Sequence, residues 1–290
     1  MNKSIDWTGE RFLPAVGGDI ALEHLHRYAL AQSLASGMRV LDIACGEGYG
    51  SNILAEVATS VLGVDIDASA VAHARGTYKR PNLAFRQGSC TNLDLTDSMF
   101  DLIVSFETLE HHAEHEAMLL ELRRVLAPDG VLIVSTPDRH HYSDELNFNN
   151  PHHVRELYAS EFYQLIRQHF RFAEFLGQRI AYGSVITPVN KAAAFISFSG
   201  TESDILSQVG LQAPLYQIAI ASAQALTSIP ASIFDATSTH RIELNLLRQD
   251  LQVTRDLLAA VHRSSYWRIA EPIRWIRRTI RRIRSLYFDK

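Results

Sequence analysis

Cysteine is scarce in this chain: Cys45 and Cys90 are the only two in 290 residues. Both lie beside expected strand ends, so no disulfide framework organises the fold. No apolar h-region follows Met1-Asn-Lys-Ser-Ile-Asp-Trp7, and the sequence therefore offers no secretory signal. Nor is there a run of about 18 apolar residues to span a bilayer. A cytoplasmic protein is the expectation, with room for peripheral attachment at the inner face of a membrane. Hydrophobic residues make up 47% of the chain, enough for a full core. The net charge is −4, but it is unevenly placed. Residues 266–290 hold Arg268, Arg274, Arg277, Arg278, Arg281, Arg282, Arg284 and Lys290 against Glu271 and Asp289, which leaves an acidic body. That balance argues against nucleic acid as a partner and for an anionic surface facing the tail.

The most informative stretch is Arg39-Val-Leu-Asp-Ile-Ala-Cys-Gly-Glu-Gly-Tyr-Gly50. Val40, Leu41, Ile43 and Ala44 suit a strand buried on both faces of a parallel sheet. Gly46, Gly48 and Gly50 follow at alternate positions, where the backbone turns sharply and a ligand approaches main-chain N–H groups. A second apolar strand, Val61-Leu-Gly-Val64, ends in Asp65, 19 residues after Gly46. A carboxylate at that distance sits at the tip of the neighbouring strand and accepts ribose hydroxyls. A dinucleotide loop would read G-x-G-x-x-G, whereas this one reads G-x-G-x-G with Asp42 in the strand ahead of it. Asp42 repels a pyrophosphate and suits a sulfonium and an ammonium group.

On these residues the chain resembles the class I S-adenosylmethionine-dependent methyltransferases, whose first motif is matched by Val40 to Gly50. The resemblance spans about residues 37–222. It implies S-adenosyl-L-methionine as methyl donor and a cofactor site of Asp42, Gly46, Gly48, Asp65, Ile66, Ser89, Cys90, Phe106 and Glu107. Ser89 stands where the family often has an Asp that meets the adenine amine. The alternating strand–helix pattern agrees. The expected fold is α/β, a doubly wound, mostly parallel seven-stranded Rossmann-like sheet with a C-terminal helical extension.

Glu107-Thr-Leu-Glu-His-His112 follows the fourth expected strand, at the carboxyl end where open α/β sheets bind ligands. Methyl transfer to a hydroxyl needs a positioned base, and histidine is the natural one. His111, Glu110 and His153 are the candidate catalytic residues, His153 lying in a polar loop, 136–158, expected to cover the acceptor. A metal-assisted alternative uses Glu107, Glu110, His111 and His153, a cluster similar to the one in RNA 3′-end methyltransferases that hold a divalent ion. E-x-x-E-H also occurs in methyltransferases without metal, so a divalent metal is possible but none is expected.

The methyltransferase domain is expected over 1–225, with an N-terminal lid at 1–36 and an insertion at 177–213. A helix from Ile20 to Leu34 should place Leu22, Leu25, Tyr28 and Ala31 inward, leaving Glu23-His-Leu-His-Arg27 on a solvated face or closing over the ligand. A linker, 226–239, precedes a coiled-coil-like helix at 240–263, where Leu244, Leu247, Leu251, Thr254, Leu258 and Val261 recur at 3-4-3-4-3 spacing and offer a homodimer seam. Residues 266–290 read as a basic amphipathic helix, with Trp267 and Trp275 at its entry, for an anionic membrane surface. Gly9–Pro14, Glu23–Tyr28 and Trp267–Arg274 resemble segments of methyltransferases of bacterial surface-polysaccharide assembly, which implies O-methylation of a glycan sugar or sugar phosphate. The alternatives are a small lipid-soluble hydroxyl acceptor, or a non-catalytic scaffold tethered to the membrane.

Overall fold

The computed structural model describes residues 19–180, 183–189, 196–201, 204–227, 229–235 and 237–263. The expected lid segment 9–14 and the basic helix 266–290 lie outside them. The described residues fall in two compact units that divide after Asp235.

Five apolar runs form the parallel half of the first unit's sheet: β1 (Arg39–Ile43), β2 (Ser60–Asp65), β3 (Leu83–Gln87), β4 (Phe100–Phe106) and β5 (Leu126–Pro137). They lie in the order β5-β4-β1-β2-β3, all neighbours parallel. The connecting helices are α2 (Tyr49–Leu54), α3 (Ala68–Thr77) and α4 (His115–Val125), with α1 (Asp19–Leu34) ahead of β1 and α5 (Ala159–His169) after β5. α3 starts where the Asp67 carboxylate accepts the Ser69 N–H at 2.8 Å, an N-cap. α4 buries Met118, Leu119, Leu122 and Val125, the stripe its spacing predicts.

Alternation along the strands sorts the core into two layers. Leu41 and Ile43 pack with α4 and α5, whereas Val40, Leu102 and Val104 pack with α1 and α2. Asp42 alternates with Leu41 and Ile43, so its side chain enters the α1–α2 layer.

The chain continues through β6 (Phe172–Ile180), β7 (Gly183–Pro188), β8 (Ile196–Thr201), β9 (Asp204–Val209), β10 (Tyr216–Ser222) and β11 (Ser232–Asp235). β10 runs antiparallel between β5 and β6, giving the expected seven strands. β7 and β11 then extend the sheet to nine, and β8 and β9 form a separate antiparallel hairpin. Two readings of the sequence are corrected here. Residues 232–235, expected as linker, pair with β7; the insertion at 177–213 supplies β7 and the hairpin.

α1 departs from its expected face. Its buried residues are Glu23, His26, Arg27, Tyr28 and Ala31, with Leu22 and Leu25 only half-buried. The polar face goes inward because the late strands meet each group. Ser184 and Ser232 bond the two His26 ring nitrogens at 2.9 and 3.0 Å, Gln178 accepts from Arg27 at 3.0 Å, and the Tyr216 O–H donates to Glu23 at 2.9 Å. Buried polar groups are tolerated when so paired.

The second unit contains α6 (Thr237–Arg263), on which the seam residues Leu247, Leu251, Leu258 and Val261 are exposed. No helix among the described residues is long and apolar enough to cross a membrane.

Candidate functional site

The carboxyl ends of β1, β2 and β4 open onto a cavity of about 430 Å³. One end is built by the glycine loop. Gly46 and Gly48 take φ of +56° and +93°, the left-handed region that glycine enters without penalty. The Gly46 N–H donates to the Asp65 carboxylate at 2.8 Å, and its other oxygen accepts the Asp67 N–H at 2.9 Å. Loop and strand tip are thereby locked together, with Gly46, Asp65, Ile66, Ser89 and Cys90 all on the cavity wall.

Two of the expected cofactor residues are not on that wall. Gly48 sits over the Phe85 ring, where an added Cβ would meet ring carbons at 2.7 Å, so packing demands glycine there. Asp42 is buried, accepting hydrogen bonds from Ser51 Oγ at 2.6 Å and Tyr28 Oη at 3.1 Å. Burial raises its pKa to about 6, against the lowering effect of those two donors. Its carboxylate ties α1 and α2 to β1 rather than facing the cavity.

The other end gathers the expected catalytic residues. Phe106, Glu107, Glu110, His111 and His153 line it, joined by Thr108, His112, Tyr142 and Tyr216. Glu107 holds a φ of +49°, a strained conformation for a residue with a side chain. Its carboxylate accepts from Ser135 Oγ at 2.6 Å and lies 3.4 Å from Arg27 Nη1. Glu110 is buried and accepts from Thr136 Oγ1 at 3.1 Å. Burial, then the nearby Glu107 charge, holds its carboxyl well above the usual range.

His153 reaches this end because the Glu110 carbonyl accepts the N–H groups of Val154 and Arg155, at 2.8 and 3.1 Å. Its ring centroid lies 5.2 Å from that of His111 and stacks on Tyr142 at 5.5 Å. Glu110, His111 and His153 offer ligand atoms within 4.8 Å of one another; Glu107 is outside that group.

Tyr142 belongs to the aromatic, histidine-rich loop that the sequence marks. Tyr216 has no such signal: it is one residue of an apolar strand, and its place at the cavity follows from β10 pairing beside β5. Below the cavity, burial lifts Glu23 to about 7, against the lowering effects of Arg27 and Tyr216. A carboxyl protonated in the fold but not in the open chain favours folding below its unfolded value of 4.5, and loses that advantage as pH rises toward 7. His26, lowered to about 4 mainly by burial, slopes the opposite way between about 4 and 6.5. Glu23→Gln is therefore expected to remove the downward component between pH 4.5 and 7, seen as a smaller loss of melting temperature across that range than in the parent.

Comparison with known proteins places this geometry. Residues 34–180 match the family model described as a methyltransferase domain. A probable S-adenosylmethionine-dependent methyltransferase of Mycolicibacterium smegmatis is 38% identical over 169 residues, covering 57% of this chain and 65% of that protein. A ubiquinone biosynthesis O-methyltransferase of a Bradyrhizobium strain is 32% identical over 123 residues, 42% of this chain and 48% of the relative. The chain thus spans under two thirds of each. A solved S-adenosylmethionine-dependent methyltransferase of Thermotoga maritima superposes with a TM-score of 0.51 at 18% identity, over 70% of this chain and 90% of that one, which shows the shared fold. With its family model matched from α1 through β6 and its sheet in this order, the chain belongs to the methyltransferase-domain family, of the class I S-adenosylmethionine-dependent type.

Proposed function

We propose that this protein is an S-adenosylmethionine-dependent O-methyltransferase. One observation carries the reading. A cavity with the locked Gly46–Asp65 corner at one end holds Glu110, His111 and His153 at the other. The donor's sulfonium supplies an activated methyl group when bound. The chain has to hold the donor, align an acceptor hydroxyl at about 3 Å and exclude water. In this reading Asp65 receives the ribose hydroxyls, Ser89 and Cys90 border the adenine, and Phe106 and Glu107 lie beside the methionine portion. Glu110, His111 and His153 activate the acceptor, lowering the cost of removing its proton.

Asp65→Ala removes both the ribose acceptor and the anchor of the Gly46 N–H. Donor affinity is expected to fall by about 10- to 100-fold, since hydrogen bonds to a charged group contribute about 1.5–3 kcal/mol. Calorimetric titration measures the loss.

For the acceptor, we infer a sugar or sugar phosphate of a surface glycan, delivered at a membrane. The resemblance of residues 9–14, 23–28 and 267–274 to methyltransferases of surface-polysaccharide assembly supports it. So does the basic tail, where each arginine near an anionic leaflet contributes about 1 kcal/mol. A small lipid-soluble hydroxyl compound is the second reading, favoured by the relatives named as ubiquinone biosynthesis O-methyltransferases. Incubating the purified chain and donor with glycan and quinol-precursor panels, then seeking the mass gain of one methylene, decides between them. Deleting residues 266–290 is expected to abolish sedimentation with anionic vesicles; sedimentation that persists contradicts membrane attachment through the tail. The exposed Leu247, Leu251, Leu258 and Val261 support a second copy of the chain as partner, which the molar mass in solution tests.

A further inference from the structure

Glu110, His111 and His153 share more than proximity. His111 Nδ1 lies 3.1 Å from the His152 carbonyl oxygen, an acceptor, so this nitrogen carries the proton. The lone pair is then at Nε2, which lies 3.8 Å from Glu110 Oε1. His153 repeats the arrangement: its Nδ1 donates to the Glu156 carboxylate at 2.5 Å, and its Nε2 accepts from the Asn150 amide at 3.1 Å. Each imidazole thus has Nδ1 tied to an oxygen acceptor and Nε2 left as the electron-pair donor, the orientation that metal-ligating histidines adopt. The third member is a buried carboxylate, and Val154 and Arg155 bind its own backbone carbonyl, fixing the histidine loop against it. Ligand atoms within 4.8 Å of one another close on an ion through small side-chain rotations.

We propose that Glu110, His111 Nε2 and His153 Nε2 hold a divalent transition-metal cation at the acceptor end of the cavity. Two imidazoles and one carboxylate suit a cation of the zinc, cobalt or manganese kind rather than magnesium, which prefers oxygen ligands throughout. All three residues line the cavity, so the open coordination positions face the acceptor. The proposal rests on the methyl-transfer reading and extends it. The cation draws electron density from the acceptor oxygen, whose proton leaves to water. The oxygen's lone pair then forms the O–CH₃ bond as the pair of the breaking C–S bond returns to sulfur. Glu156 acts through His153 as a positioning residue.

Cobalt(II) titration of the EDTA-stripped full-length protein tests this, read by visible d–d absorption and by calorimetry, with donor binding measured in parallel. One equivalent is expected to bind. His111→Ala and His153→Ala should each abolish uptake. Glu156→Gln, which leaves the three ligands in place, should weaken it by about 10- to 100-fold. The exposed cluster of His140, His141 and Glu145 serves as the control: His140→Ala with His141→Ala should leave the titration unchanged. Folding of every variant is checked by circular dichroism. Protein that binds S-adenosylmethionine but takes up no cobalt overturns the cation site. So does uptake that survives His111→Ala and His153→Ala, or that vanishes with the control pair. Cobalt bound at these ligands without donor binding supports the site and contradicts methyl transfer instead.

Discussion

Glu110→Gln is expected to lower kcat by about 10²- to 10⁴-fold, the range spanned by loss of acid–base or electrostatic assistance at a reacting hydroxyl. Affinity for the methyl donor should stay within about twofold, because Glu110 lies at the end of the cavity away from the Gly46–Asp65 corner and removes no ribose contact. The substitution keeps the side chain's shape and its ability to accept from Thr136 Oγ1, so the fold should tolerate it. His111→Ala should show the same split, a large fall in kcat with little change in donor binding. Single-turnover rates beside calorimetric donor titrations separate the two quantities. An equal loss in both would mean that the pair supports donor binding and has no role at the acceptor.

Gly50→Ala should be the most damaging of the conservative changes in the first motif. A Cβ on Gly50 would lie 1.9 Å from the Tyr28 ring, well inside contact distance. That ring has nowhere to go. It packs edge-on against Tyr49 at 5.3 Å and Phe106 at 5.1 Å, and its hydroxyl is bonded to the buried Asp42. Overpacking of this kind costs about 1–3 kcal/mol, and the melting temperature should fall by roughly 3–10 °C. Gly76→Ala is the control, since an added Cβ there meets nothing within 4 Å and α3 gains a better helix former. The same displacement of Tyr28 disturbs the wall it shares with Tyr49, so donor affinity should fall in Gly50→Ala and not in Gly76→Ala.

These two predictions also mark where the sequence was readable. The β1 run, the alternate glycines and Asp65 are local signals, and the lock between Gly46 and Asp65 is close to what their spacing implies. The same holds for the stripe on α4 and for the antiparallel β10. Asp42 was misplaced because strand alternation, rather than sequence proximity to the loop, decides which layer a side chain enters; it lies between Leu41 and Ile43 and faces α1. The inward polar face of α1 was hidden for another reason. Its partners Gln178, Ser184, Tyr216 and Ser232 lie more than 150 residues away, so hydrophobic periodicity within the helix could not reveal them. His153 shows both limits. Its residue type advertised it, but only two N–H bonds to the Glu110 carbonyl bring it beside His111.

The direct test of the account is calorimetric titration of the purified full-length chain with S-adenosylmethionine, repeated with Asp65→Ala. The account predicts one donor molecule per chain and an affinity that drops by about 10- to 100-fold in the variant. A folded chain that takes up no donor, or one whose affinity is indifferent to Asp65, contradicts it.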